Sequence, residues 1–171
     1  MSVAPRIALL GFMGVGKTTV ARALADRLGC SMIDLDRRIT EREGRSIATI
    51  IAEEGEERFR AIEADALREV LAEAGAMVVA LGGGAWTIEP NRQQLTAAGV
   101  ITVWLDAPFE LCWQRINAST EERPLARSEE VARALYERRR SLYALASLRV
   151  EASADKAPAE LAEQIARALN L

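Results

Sequence analysis

Gly11-Phe12-Met13-Gly14-Val15-Gly16-Lys17-Thr18 has the spacing G-x-x-x-x-G-K-[ST]. The apolar run Arg6-Ile7-Ala8-Leu9-Leu10 precedes it. Lys17 to Leu28 follows, with Val20, Leu24 and Leu28 at four-residue steps. The motif therefore lies between a buried strand and an amphipathic helix. Glycines in such a turn let backbone N–H groups converge on phosphate oxygens without Cβ interference, and the helix N-terminus adds positive potential. Lys17 is placed to reach the β- and γ-phosphates of a nucleoside triphosphate, and the Thr18 hydroxyl to ligate Mg²⁺. The motif does not identify the phosphate acceptor.

Working outward, Ser31-Met32-Ile33-Asp34 is a second strand. Asp36 to Glu43 and Ser46 to Glu54 are helical, with Gly44 between them and Ser46 as an N-cap. Gly55 interrupts the pattern, and Glu56 to Ala74 is a long helix. Ala76 to Leu81 is the third strand and stops at three glycines. Pro90 to Ala98 is a helix and Val100 to Leu105 a fourth strand. Asp106 is expected to cap a helix through Arg115, with Pro108 in its first turn. Asn117 to Ser128 is polar, contains Pro124, and is expected to be a mobile loop. Glu129 to Ala146 is helical, Leu148 to Val150 a fifth strand, and Pro158 to Leu169 a closing helix. Strands alternating with helices predict an α/β fold, with a parallel sheet covered on both faces. With no repeat or linker, residues 1–171 are expected to form one domain.

Composition agrees with one domain. The 171 residues are 50% apolar and 27% charged with a net charge of -3, which excludes a disordered chain. Aromatics are only 5%, so the core is aliphatic. Among 22 basic residues only Lys17 and Lys156 are lysine. This arginine bias is either compositional or a means of gripping planar anions. The slight net negative charge argues against general nucleic-acid binding. The absence of histidine excludes histidine catalysis and ligation. Cys30 and Cys112 share no metal-binding spacing and are expected to be free thiols. Met1 to Gly11 holds too short an apolar stretch for a signal h-region, and no run approaches the ~18 apolar residues of a membrane span. A soluble, cytoplasmic protein is expected.

Several short patterns suit an acceptor site. In extended backbone, the carboxylates of Asp34 and Asp36 would point the same way, one toward Mg²⁺ and one toward a hydroxyl. A helix-capping aspartate beside a surface aspartate would look the same. Arg60 and Glu63 stand at i, i+3 on one helix and can pair. Gly82-Gly83-Gly84 follows the third strand at the carboxyl end of the sheet, where ligands of parallel α/β proteins bind. Arg123-Pro124-Leu125 places an arginine on the polar loop. In Glu137-Arg138-Arg139-Arg140, Arg139 lies between Tyr136 and Tyr143, so it need not face solvent. Each pattern also has a plain structural explanation: a surface ion pair, a loop, or a solvated face.

In this order, the P-loop, Asp34-Leu35-Asp36, Phe59-Arg60-x-x-Glu63, Gly82-Gly83-Gly84, Arg123-Pro124-Leu125 and Arg139 ahead of Leu142-Tyr143 resemble the shikimate kinases. The resemblance spans nearly the whole chain. It implies a nucleoside-monophosphate-kinase-like P-loop fold with strand order 2-3-1-4-5 and a lid at about 117–128. It implies transfer of phosphate from ATP to the 3-hydroxyl of shikimate, in aromatic amino acid biosynthesis, by a monomer. ATP would be held by Gly14, Val15, Gly16, Lys17, Thr18 and Thr19, with Arg115 and the Lys156-Ala157-Pro158 turn flanking adenine. Thr18 and, through water, Asp34 would hold Mg²⁺. Asp36 would bind the acceptor hydroxyls and take the proton. Arg60 and Arg139 would clamp the carboxylate, with Glu63 orienting Arg60. Gly82, Gly83 and Gly84 would line the acceptor pocket. Arg123, on a loop outside that pocket, would reach the γ-phosphate. The catalytic set would be Lys17, Asp36 and Arg123.

The chain departs from the family pattern at Leu35, commonly small and polar, and at Ser141, commonly proline. Arg115 precedes Arg123 by eight residues rather than seven. Trp86, at a variable position after the glycines, is a candidate acceptor contact. The residue chemistry supports a polyhydroxylated carboxylic acid as acceptor, because two guanidinium forks match a carboxylate and an aspartate matches hydroxyls. Two other readings stand beside this one: another small-molecule kinase, such as a gluconate or nucleotide kinase, and a nucleotide-binding regulatory module without turnover. The lack of an Asn-Lys-x-Asp signature argues against a GTPase.

Overall fold

The computed structural model describes residues 5–171, so the first four residues of the stretch read for a leader lie outside it. Five strands form one parallel sheet: β1 (Arg6–Leu10), β2 (Ser31–Asp34), β3 (Met77–Ala80), β4 (Ile101–Asp106) and β5 (Leu148–Glu151). Their order is β2-β3-β1-β4-β5, as the resemblance implied. β1 is central, with Leu9 in register with Ala80 of β3 and Val103 of β4. Ile7 to Leu10 are all buried, as are Met77 to Ala80. Consecutive buried residues on a strand require cover on both faces, which explains their unbroken apolar character.

The helices are α1 (Lys17–Leu28), α2 (Leu35–Glu43), α3 (Ile47–Ala72), α4 (Glu89–Ala97), α5 (Phe109–Ala118), α6 (Glu129–Tyr143) and α7 (Pro158–Ala168). α1 packs on α7 and β3, α2 on α3, and α5 on α6. The break expected at Gly55 is present as a single non-helical residue inside α3 (φ 86°, ψ 164°). No helix among the described residues is long and apolar enough to cross a membrane.

Five local expectations are corrected. Asp34 and Asp36 do not share an extended segment. Asp34 ends β2 and caps α2, accepting a hydrogen bond from the Arg37 amide, and Asp36 stands in the first turn of α2. The cause is Leu35, whose fully buried side chain turns the chain inward at that point. Asp106 is not a cap either. It completes β4 and is bonded by Arg140 of α6 (2.7 Å) and Arg149 of β5 (2.7 Å). Pro108, with extended dihedrals, takes the cap position of α5 instead of its first turn. Asn117 and Ala118 complete α5, so the irregular loop is residues 119–128. Finally, a single 3-10 turn, Ala85–Thr87, follows the triple glycine where no element was expected.

Candidate active site

The P-loop runs from the carboxyl end of β1 into α1. Gly14 has φ 80°, and a Cβ there would meet the Cys112 carbonyl of α5 at 2.7 Å. The loop is therefore held against α5 at a contact that excludes a side chain. Lys17 Nζ donates to the carbonyls of Gly11 (2.8 Å) and Phe12 (3.1 Å). Burial lowers its pKa to about 8, partly offset by the charge of Asp36. Thr18 donates its hydroxyl proton to Asp34 at 2.5 Å. The two residues thus set hard oxygens side by side at the mouth of the phosphate loop. Mg²⁺ takes one or two protein oxygens and completes its shell with phosphates and water, so this pair fits it.

The loop opens on a cleft of about 1070 Å³. Lys17, Thr18, Asp34, Asp36, Arg60, Glu63, Gly82, Gly83, Gly84, Arg123 and Arg139 all line it. They come from α1, β2, α2, α3, the segment after β3, the 119–128 loop and α6. The triple glycine is where they converge. None of its three residues has a positive φ, so backbone conformation does not demand glycine there. Close approach does. A Cβ on Gly82 would lie 2.7 Å from Asp36 Oδ1 and 3.1 Å from Glu63 Oε1, and one on Gly84 would lie 2.5 Å from Arg60 Nη2 and 2.9 Å from Arg139 Nη2. Any side chain would occupy the space that two carboxylates and two guanidiniums share.

The charged groups are unequally paired. Glu63 is 1% exposed and receives Arg60 Nη1 at 2.8 Å. Its Oε1 is buried without a partner, and burial raises its pKa. Arg60 also reaches Glu56 at 3.2 Å. Asp36 has its pKa raised by burial and by the charge of Asp34, against the opposing pull of Lys17, Arg123 and Arg60. Arg139 is 6% exposed and its Nη1 has no partner. In its tetrad Arg138 is exposed and Arg140 binds Asp106, so only Arg139 turns inward. Arg123 lines the same cleft as Lys17, Asp36 and Arg60. Its Nη2 binds Glu121 at 2.6 Å, while its Nε is buried and unpartnered.

A smaller adjoining cleft of about 200 Å³ is lined by Gly16, Thr19, Val20, Arg115, Lys156 and Pro158, among others. Arg115 donates to the Val15 carbonyl at 2.9 Å, so its shifted spacing still brings it onto the phosphate loop. Val15 itself is 2% exposed and lines neither cleft with its side chain. Trp86 is not an acceptor contact. It is 4% exposed, lies outside the cleft, and donates its indole N–H to the Leu142 carbonyl at 2.7 Å. Sequence reading gave no role to Tyr143 beyond flanking Arg139, yet its hydroxyl donates to the Gly83 carbonyl at 2.5 Å. Its signals along the chain were its position four residues after Arg139, on the same helix face, and its place in the Leu142-Tyr143 pair.

Comparison with known proteins agrees with this geometry. The family model for shikimate kinase matches residues 13–170. A curated shikimate kinase of Thermobifida fusca (strain YX) is 45% identical over 154 residues, covering 86% of this chain and 86% of its own. A shikimate kinase from Acinetobacter baumannii, solved in complex with shikimate, superposes with a TM-score of 0.90 at 38% identity, covering 98% of this chain and 93% of that one. That of Aquifex aeolicus vf5 gives 0.84 at 33% identity, covering 96% of each.

Proposed function

Because the chain belongs to the shikimate kinase family and is an ATP-dependent phosphotransferase acting on the 3-hydroxyl of shikimate, we propose how its residues divide that work. The single observation that carries the assignment is the convergence of Asp36, Arg60, Glu63 and Arg139 on Gly82–Gly84, beside the phosphate loop. The two guanidiniums bind the shikimate carboxylate and Asp36 binds its hydroxyls. Glu63, buried and bonded to Arg60, fixes the orientation of that guanidinium.

In the reaction a bond forms between the 3-oxygen and Pγ, the bond from Pγ to the β-bridging oxygen breaks, and ADP leaves. Asp36 accepts the hydroxyl proton. Its burial makes it more basic than an exposed aspartate, which suits the task. Lys17 and Arg123 balance the charge on the transferring group, since phosphoryl transfer depends chiefly on positioning and electrostatic stabilisation. Thr18 and Asp34 would hold Mg²⁺, which when bound would neutralise phosphate charge. Gly14, Val15 and Gly16 cradle the phosphates with their backbone, and Thr19, Arg115, Lys156 and Pro158 border the adenosine end. Residues 119–128 act as the lid. Every group needed for both substrates lies in one chain, which supports a monomer in a single domain. Its two unpaired cysteines suit the cytoplasm.

The gluconate-kinase and non-catalytic readings are not favoured. The family match covers residues 13–170, and the relatives that share the acceptor-side residues' fold at 38–45% identity are shikimate kinases. The test is ADP release with shikimate, quinate, gluconate and nucleoside monophosphates as acceptors. Shikimate should give the highest turnover by far, and a rate no higher than that without acceptor would overturn the reading.

A further inference from the structure

Arg60 and Arg139 face the same pocket but are held in different ways. Arg60 is steadied by two carboxylates, Glu63 and Glu56. Arg139 has no carboxylate within salt-bridge distance among the described residues, although its side chain is nearly fully buried. A desolvated guanidinium without a counter-ion costs free energy and needs another restraint on its orientation. The group beside it is the Tyr143 hydroxyl, one helical turn along α6. That hydroxyl donates its proton to the Gly83 carbonyl at 2.5 Å, which leaves its lone pairs available to accept from a guanidinium. The Trp86 indole N–H, from the 3-10 turn after the glycines, donates to the carbonyl of Leu142 at 2.7 Å. Two polar bonds at consecutive residues, Leu142 and Tyr143, thus tie the end of α6 to the middle of the triple glycine and to the turn that follows it.

We propose that Tyr143 is a positioning residue for acceptor recognition: its hydroxyl bridges the Gly83 carbonyl and the Arg139 guanidinium, and Trp86 braces the helix end that carries it. The inference rests on the assignment of Arg139 to the shikimate carboxylate. A neutral partner has a chemical advantage here. A carboxylate at this place would neutralise Arg139 and compete with the substrate, as Glu63 partly does for Arg60. A phenol orients the guanidinium and leaves its charge uncancelled. Burial pushes the Tyr143 pKa up to about 12, so it stays neutral throughout the working range. The brace also links the backbone of the glycines to the helix bearing the clamp, so that displacement of one displaces the other.

The experiment is steady-state kinetics of Tyr143→Phe and Trp86→Phe with shikimate and with its carboxamide analogue, alongside Arg139→Ala and the double variant Tyr143→Phe/Arg139→Ala. Tyr143→Phe removes one oxygen from a bond network around a charged group. It should raise the KM for shikimate by about 10-fold while changing the KM for ATP less than about 2-fold. Its penalty should vanish with the carboxamide and in the Arg139→Ala background. Trp86→Phe keeps an aromatic ring of smaller size, loses the indole donor, and should raise the shikimate KM by about 3-fold with the same selectivity. A Tyr143→Phe enzyme with unchanged shikimate KM, equal losses for both substrates, or a full penalty in the Arg139→Ala background would overturn the proposal. Should Tyr143→Phe not fold, the same criteria apply to Trp86→Phe and its double variant with Arg139→Ala. If the wild-type enzyme does not distinguish shikimate from its carboxamide, the carboxylate-clamp assignment itself fails.

Discussion

A Cβ atom on Gly84 would stand 2.5 Å from Nη2 of Arg60, so residue 84 has no side chain because a guanidinium occupies its place. The backbone there (φ -105°, ψ -13°) is open to any residue, which separates this glycine from those of the phosphate loop. Gly84→Ala should therefore fold normally and push Arg60 and Arg139 off their positions. Overpacking of about 1–3 kcal/mol corresponds to roughly 5- to 150-fold weaker shikimate binding. Calorimetric titration with shikimate and with ADP checks this, and unchanged shikimate affinity would refute the crowding argument.

Arg60→Ala and Arg139→Ala should each weaken shikimate far more than ATP. Removing one member of a charged hydrogen-bonded pair costs about 2–5 kcal/mol. Lysine should not restore full affinity at either position, because the planar fork is lost. Arg60→Ala carries a second cost, since it strands Glu63, which is 1% exposed, without its partner. It should lower the melting temperature more than Arg139→Ala, which strands no carboxylate. Equal effects on shikimate and ATP affinity would show both arginines to be structural.

Asp36→Asn preserves shape but removes charge and basicity. It should lower kcat by at least about 100-fold and weaken shikimate, with ADP affinity nearly intact. Arg123 shares the cleft with Asp36 and lowers its pKa, so Arg123→Ala should reduce kcat and also raise the Asp36 pKa. The acid limb of the kcat/KM profile should then move to higher pH, because more of Asp36 is protonated at a given pH. Hydrogen exchange across residues 119–128 should slow more with ADP and shikimate together than with either alone. An unchanged kcat in Arg123→Ala, together with ligand-independent exchange, would remove the lid from the mechanism.

Cys112 is fully buried beneath the phosphate loop and its pKa is pushed up to about 11. Since only the thiolate attacks, raising the pKa lowers reactivity at any pH below it. Cys30 is partly exposed and its pKa is raised less. A disulfide-exchange reagent at pH 8 should titrate one thiol in the native protein and two after denaturation. Modification of both in the native state would contradict the packing of Cys112 under Gly14.

What could be read along the chain was whatever short-range spacing controls. The phosphate loop is legible because its glycines, Lys17 and Thr18 act within one turn of backbone. The strands are legible because burial on both faces makes their apolar character continuous. The inward turn of Arg139 is legible because Tyr136 and Tyr143 share its helix face. The shared extended segment of Asp34 and Asp36 and the capping role of Asp106 were misread along the chain. Asp34 caps α2 because the buried Leu35 forces a turn, and Asp106 is claimed by Arg140 and Arg149 from elements far along the chain. The same holds for Trp86, whose partner Leu142 lies 56 residues away. The site itself belongs to the tertiary level. Asp36, Glu63, Arg60 and Arg139 meet only because parallel strands deliver their carboxyl ends to one edge, and three residues without side chains leave room there for four charged groups.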